Sequence, residues 1–131
     1  MSEEIILKFE NGVGIITLNR PERLNALTHN IVQKMSRFLD KCESDDDIKC
    51  VIIEGAGEKA FCAGGDVVSL RKQVLDEGGP PTELSENFFY DEYLLNYKIN
   101  NFKKPYIALI DGVTMGGGVG VSMHGSHIVC T

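Results

Sequence analysis

The sequence predicts an α/β fold, and three observations carry that expectation. Alternating apolar residues on either side of Asn11-Gly12 describe a β-hairpin, because this dipeptide accepts the two left-handed conformations of a tight turn. Two short, continuous apolar runs, Val51-Ile52-Ile53 and Tyr106 to Ile110, read as strands covered on both faces. Stretches with helical periodicity lie between these runs, and alternation of strand and helix is the signature of an α/β architecture.

Each element follows from its residues. Ile5, Leu7 and Phe9 alternate with polar neighbours in a strand over 4–9, and a second strand covers 13–18. Asn19-Arg20-Pro21-Glu22 breaks it. Thr28 is suited to cap a helix over 28–43, in which Ile31, Val32, Met35, Phe38, Leu39 and Cys42 form one apolar stripe. Ser44-Asp45-Asp46-Asp47 ends it as a solvated acidic loop. After the strand at 51–53, Asp66 is placed to cap a helix over 67–76. Gly78-Gly79-Pro80-Pro81 reads as a linker. A longer helix over 83–101 carries an apolar stripe of Leu84, Phe88, Leu95, Ile99 and Phe102. Pro105 restarts the chain into the strand at 106–110, a short helix follows near 117–124, and His127 opens a last strand.

Composition narrows the function classes. A chain of 131 residues is about one domain. The formal net charge of −6, with Arg71-Lys72 and Lys103-Lys104 as isolated adjacent basic pairs, argues against a nucleic-acid or anionic-membrane surface. No apolar run approaches the length of a transmembrane helix, and Met1-Ser2-Glu3-Glu4 resembles neither a signal nor a transit peptide. Cys42, Cys50, Cys62 and Cys130 show no C-x-x-C spacing and no metal-site pairing with His, so reduced thiols and no metal are expected. Gly55-Ala56-Gly57-Glu58-Lys59-Ala60 matches a dinucleotide-binding fingerprint, but Phe61-Cys62-Ala63-Gly64-Gly65 is a poor start for the helix that fingerprint requires. No Gly-Lys-Ser/Thr follows any glycine run, which excludes a P-loop by pattern.

The chemistry rests on two glycine-rich segments about fifty residues apart, Phe61 to Asp66 and Met115 to Gly120. Glycines after strands are commonly only tight turns. Two such loops in equivalent places can instead aim two backbone N–H groups at one point, the arrangement that holds a developing oxyanion. In the second loop the start of the short helix adds partial positive charge. On the helix over 83–101, Asp91 and Glu92 each lie roughly 50° from the centre of the apolar stripe, and geometry alone does not choose between them. His29, His124 and His127 fall at helix or strand boundaries with no nucleophile at a readable spacing.

Asn19-Arg20-Pro21, Leu24-Asn25-Ala26-Leu27, Lys59 to Asp66 and Met115-Gly116-Gly117-Gly118, taken in order, resemble the crotonase (enoyl-CoA hydratase/isomerase) superfamily along the whole chain. Phe88 to Asn96 and Gly112 to Gly125 are most similar to its branch acting on 3-hydroxyisobutyryl-CoA. The resemblance implies a spiral of β-β-α turns, with residues 1–131 as the N-terminal part of an acyl-CoA-binding domain. It implies an oxyanion hole from the N–H groups of Gly65 and Gly117. It selects Glu92 as the carboxylate that contacts the acyl part of the substrate, where a glutamate binds the substrate hydroxyl or positions water. Ala26, Ala63, Asp66, Val67 and Val68 would line the coenzyme A site. Coenzyme A is then part of the substrate, and no separate cofactor is implied.

Hydratases of the superfamily carry a catalytic glutamate three residues after the middle glycine of the triplet, and here that position is Gly120. The resemblance therefore favours thioester hydrolysis over hydration or isomerisation, with a non-enzymatic CoA-binding role as the remaining alternative. It also implies a mitochondrial setting, and a further catalytic segment resembling P-E-T-x-x-G-x-x-P-D beyond Thr131. The expectation is thus half an active site with little turnover of its own. Strand edges that later turns would cover predict pairing with another chain or a homo-oligomer.

Overall fold

The computed structural model describes residues 3–79 and 82–131; Met1, Ser2 and the Pro80-Pro81 part of the expected linker lie outside the described residues. The chain runs β1 (Ile5–Glu10), β2 (Val13–Leu18), a 3-10 turn (Pro21–Arg23), α1 (His29–Ser44), β3 (Cys50–Gly55), β4 (Ala60–Cys62), α2 (Val67–Asp76), α3 (Glu83–Asn100), β5 (Tyr106–Ile110), β6 (Val113–Thr114), α4 (Gly117–Met123) and β7 (His127–Cys130).

Five strands form one sheet in the order β1-β2-β3-β5-β7, antiparallel between β1 and β2 and parallel thereafter. The hairpin forms as expected, with both Asn11 and Gly12 at positive φ. The parallel register places Gly14 beside Val51 and Val51 beside Tyr106, and Ile16 beside Ile53 and Ile53 beside Ala108. These residues share one face and all are buried. The α1 stripe of Ile31, Val32, Met35, Phe38, Leu39 and Cys42 belongs to the same core, each large side chain contributing roughly 1.5–3 kcal/mol on burial. Gly14 is required there, since a Cβ would lie 2.7 Å from the Cys42 sulfur. Thr28 caps α1 by accepting the Ile31 N–H at 3.2 Å.

Three expectations need correction. The strands are not covered on both faces: Ile52 and Ile107 are half-buried and Leu109 is exposed, because among the described residues the second face is only partly covered. Leu84, placed in the apolar stripe of α3, is exposed, and the buried face is Phe88, Glu92, Leu95 and Ile99. Leu84 stands in the first turn, where the helix is only beginning to approach its neighbours. Finally, a short strand leads into each glycine-rich segment, and these strands, β4 and β6, pair in parallel as a second sheet. That pairing brings the two segments together.

Candidate active site

The first loop is held by Asn25. Leu24 and Asn25 are both left-handed, with φ of 52° and 55°. Asparagine tolerates that conformation because its short amide can bond locally. The buried Asn25 Oδ1 accepts from the Arg20 N–H at 2.8 Å, and its Nδ2 donates to the carbonyls of Ala56 and Ala60, each at 2.9 Å. One side chain therefore ties three segments together. Ala63 N–H then donates to Leu24 O, Leu27 N–H to Gly64 O, and Asp66 N–H to Leu27 O. These bonds fix the backbone around Gly65 while its own N–H donates to none of the described residues.

The second loop meets the first at close range. Gly64 has φ +110°, and a Cβ there would lie 3.1 Å from Met115 O and 3.3 Å from Gly117 N. A Cβ on Gly118 would collide with the Cys62 carbonyl oxygen. Glycine at these positions is thus a condition of contact between the loops. Gly117 is the first residue of α4, where an N–H has no acceptor within the helix, and it finds none elsewhere among the described residues. A Cβ on Gly117 would lie 3.4 Å from Gly65 N. Two unpaired N–H groups thus stand side by side.

Both line one cavity of about 380 Å³ with Val67, Phe88, Glu92 and Asn96. Glu92 is buried, whereas Asp91 turns away to meet His29, with Nε2 and Oδ2 2.5 Å apart. The structure thus separates the two carboxylates that helix geometry left equivalent. A Cβ on Gly117 would lie 2.5 Å from Glu92 Oε1, so the carboxyl stands directly beside the second loop. Loss of hydration on burial raises the Glu92 pKa above the ordinary carboxylate value. Cys62 is also buried; desolvation raises its thiol pKa to about 11 against the opposing hydrogen bond from Gly64, and the thiol stays protonated.

The other expected residues lie around this cavity. Val67 lines it; Val68 is exposed at the start of α2; Ala26 and Ala63 are half-buried where the loop at 24–27 meets β4. Asp66 faces a second cavity of about 270 Å³ on the other side of Phe88. It caps α2 by accepting the Ser69 N–H at 3.0 Å and receives Arg20 Nη2 at 3.0 Å. Burial would raise its pKa, but the bonds from Ser69 and then Arg20 outweigh that and lower it. Among the described residues no cluster of three or more His, Cys, Asp or Glu could hold a metal ion, and no helix is long and apolar enough to cross a membrane.

Sequence reasoning missed Asn96. It lies one turn after Glu92 on α3, and the signal was its i+4 spacing. In the sequence Asn25 enters only as part of the Leu24-to-Leu27 motif; the two consecutive left-handed residues before the helix cap, which give it its role, are not visible in spacing.

A family described as enoyl-CoA hydratase/isomerase matches residues 13–131. The chain belongs to this family. Curated relatives named mitochondrial 3-hydroxyisobutyryl-CoA hydrolase include one from Danio rerio, 48% identical over 128 residues, and one from Homo sapiens, 46% identical over 131. The match covers 98% and 99% of this chain but 32% and 33% of those proteins, so the chain spans about a third of their length. Among solved structures, a carnitinyl-CoA dehydratase from Mycobacterium thermoresistibile superposes with a TM-score of 0.91 at 43% identity, over 98% of this chain and 37% of that one. An enoyl-CoA hydratase from Rhodobacter sphaeroides 2.4.1 gives the same score and coverage at 36% identity. The fold is that of the crotonase superfamily, of which this chain carries a portion.

Proposed function

We propose that this chain carries the oxyanion-hole side of an acyl-CoA thioester hydrolase, converting 3-hydroxyisobutyryl-CoA and water to 3-hydroxyisobutyrate and free CoA. The observation that carries the reading is the pair of unpaired N–H groups, Gly65 and Gly117, on one cavity beside a buried glutamate. The thioester carbonyl oxygen accepts both N–H groups. As water oxygen attacks the carbonyl carbon, negative charge grows on that oxygen, and fixed donors stabilise it without reorganising. The C–S bond then breaks and the sulfur leaves as thiolate, which takes up the proton that the attacking water gives up as its oxygen bonds to carbon. Glu92 contacts the acyl part and orients water. Ala26, Ala63, Asp66, Val67 and Val68 border the remainder of coenzyme A. The names of the curated relatives support the substrate and a mitochondrial location; the matrix and a place in the breakdown of valine are part of the proposal and rest on the family resemblance alone.

A second reading, hydration of an enoyl-CoA, is favoured by the names of the solved neighbours. Position 120 weighs against it. A Cβ there would lie 2.7 Å and 2.8 Å from the Asn96 amide atoms, so no carboxylate side chain enters without displacing Asn96. A chimera settles the choice: this segment replaces the aligned third of the Danio rerio relative, and thiol release is followed with a colorimetric reagent. Thiol release from 3-hydroxyisobutyryl-CoA supports hydrolysis. A folded chimera that releases no thiol but hydrates an enoyl-CoA overturns it.

A further inference from the structure

The Asn96 amide is wedged between Gly120 and the cavity. Its Oδ1 is shielded from solvent and has no hydrogen-bond partner among the described residues. A buried acceptor left unpaired is destabilising, so such groups are rare unless something else satisfies them. The same residue lines the cavity that holds the two unpaired N–H groups, one helical turn from Glu92. The side chain has no alternative site on the α4 side. Gly120 and Ser122 are buried there, and the Ser122 hydroxyl already donates to Gly118 O at 2.7 Å.

We propose that Asn96, whose amide fills the room left by the absent Gly120 side chain, is a specificity-determining residue that binds a hydroxyl on the acyl chain of the substrate. The inference rests on the acyl-CoA reading above. A carboxamide is matched to a hydroxyl because each offers both a donor and an acceptor. Rotation of the amide about its last torsion is soft, so either end can turn to the cavity. With the thioester oxygen at Gly65 and Gly117, Asn96 lies deeper along α4, where an acyl substituent rather than the coenzyme would reach. Gly120 is then part of the specificity device: its missing side chain is the room the amide occupies.

The test is calorimetric titration of the chain with 3-hydroxyisobutyryl-CoA and with isobutyryl-CoA, which lacks only the hydroxyl. The chain should bind the hydroxylated compound at least about tenfold more tightly. Asn96→Leu should abolish that preference while leaving isobutyryl-CoA within about threefold. Gly120→Ala keeps Asn96 but moves its amide; it should erode the preference, and it reads the same contact should Asn96→Leu fail to fold. Binding of both compounds with no preference, or a preference both variants retain, overturns the role of Asn96 and leaves the oxyanion hole standing. Binding of neither compound by folded chain overturns both.

Discussion

Two cavities flank Phe88, and they differ less in their polarity than in whether that polarity is satisfied. The one toward the N-terminus is lined by Arg20, Asp66, His29, Thr28 and Glu4, and each of these side chains has a partner. Arg20 Nη2 reaches Asp66 at 3.0 Å, His29 contacts Asp91, and Thr28 Oγ1 donates to Glu4 Oε2 at 2.8 Å. The cavity on the far side holds fewer polar groups, yet the Gly65 and Gly117 N–H groups and Asn96 Oδ1 lack partners. Charged residues that pair with one another hold elements together. Polar groups that the fold positions and leaves unpaired are free to bind something else.

The largest break in this contrast should come at Gly117. Gly117→Ala would place a methyl 2.5 Å from Glu92 Oε1 and 3.2 Å from Leu27 Cδ1, shifting one oxyanion donor. Thiol release by the chimera should fall by about 10²–10³-fold, the usual effect of losing one such donor. Circular dichroism should show the fold intact.

Arg20→Met probes the satisfied cavity. The Arg20 and Asp66 side chains are only 13% and 11% exposed, so removing Arg20 leaves Asp66 with Ser69 as its remaining partner. Stability should fall by roughly 1.5–3 kcal/mol, the usual worth of a hydrogen bond to a charged group, while thiol release by folded chimera falls far less than with Gly117→Ala. Denaturant unfolding and the thiol assay check the two halves of that statement.

The smallest effect concerns Glu92, whose pKa burial raises. A carboxyl with a folded-state pKa above its unfolded value stabilises fully below the unfolded value, about 4.3, and loses that contribution as pH rises through the folded value. Glu92→Gln should therefore melt a few degrees higher than the parent at pH 7–8. The difference should close as pH falls toward the ordinary carboxylate range. A gap that widens on acidification would contradict the assigned cause.

Much of this contrast was legible in residue order, but not all. The hairpin, the Thr28 and Asp66 caps and the helices over 28–43, 67–76 and 83–101 follow from local chemistry, and the structure places them within a residue or two. β4 and β6, of three and two residues, were not legible. Strands so short have no periodicity and exist only because the other glycine segment lies alongside. The choice between Asp91 and Glu92 depended on a partner, since His29 of α1 draws Asp91 out of the core. Leu84 illustrates the converse: it shares the helical spacing of the stripe but stands exposed in the first turn. Whether the Gly65 N–H is paired depends on bonds among Leu24, Leu27, Gly64 and Asp66 that no spacing reveals.

The most direct measurement is the amide 15N–1H spectrum of the chain titrated with 3-hydroxyisobutyryl-CoA. The Gly65 and Gly117 N–H signals should move downfield together, as a carbonyl oxygen accepts both, while the signals of Glu4 and His29, on the paired cavity, stay largely in place. Ligand binding that leaves Gly65 and Gly117 unmoved, with the shifts gathered around Glu4 and His29, would contradict the oxyanion hole.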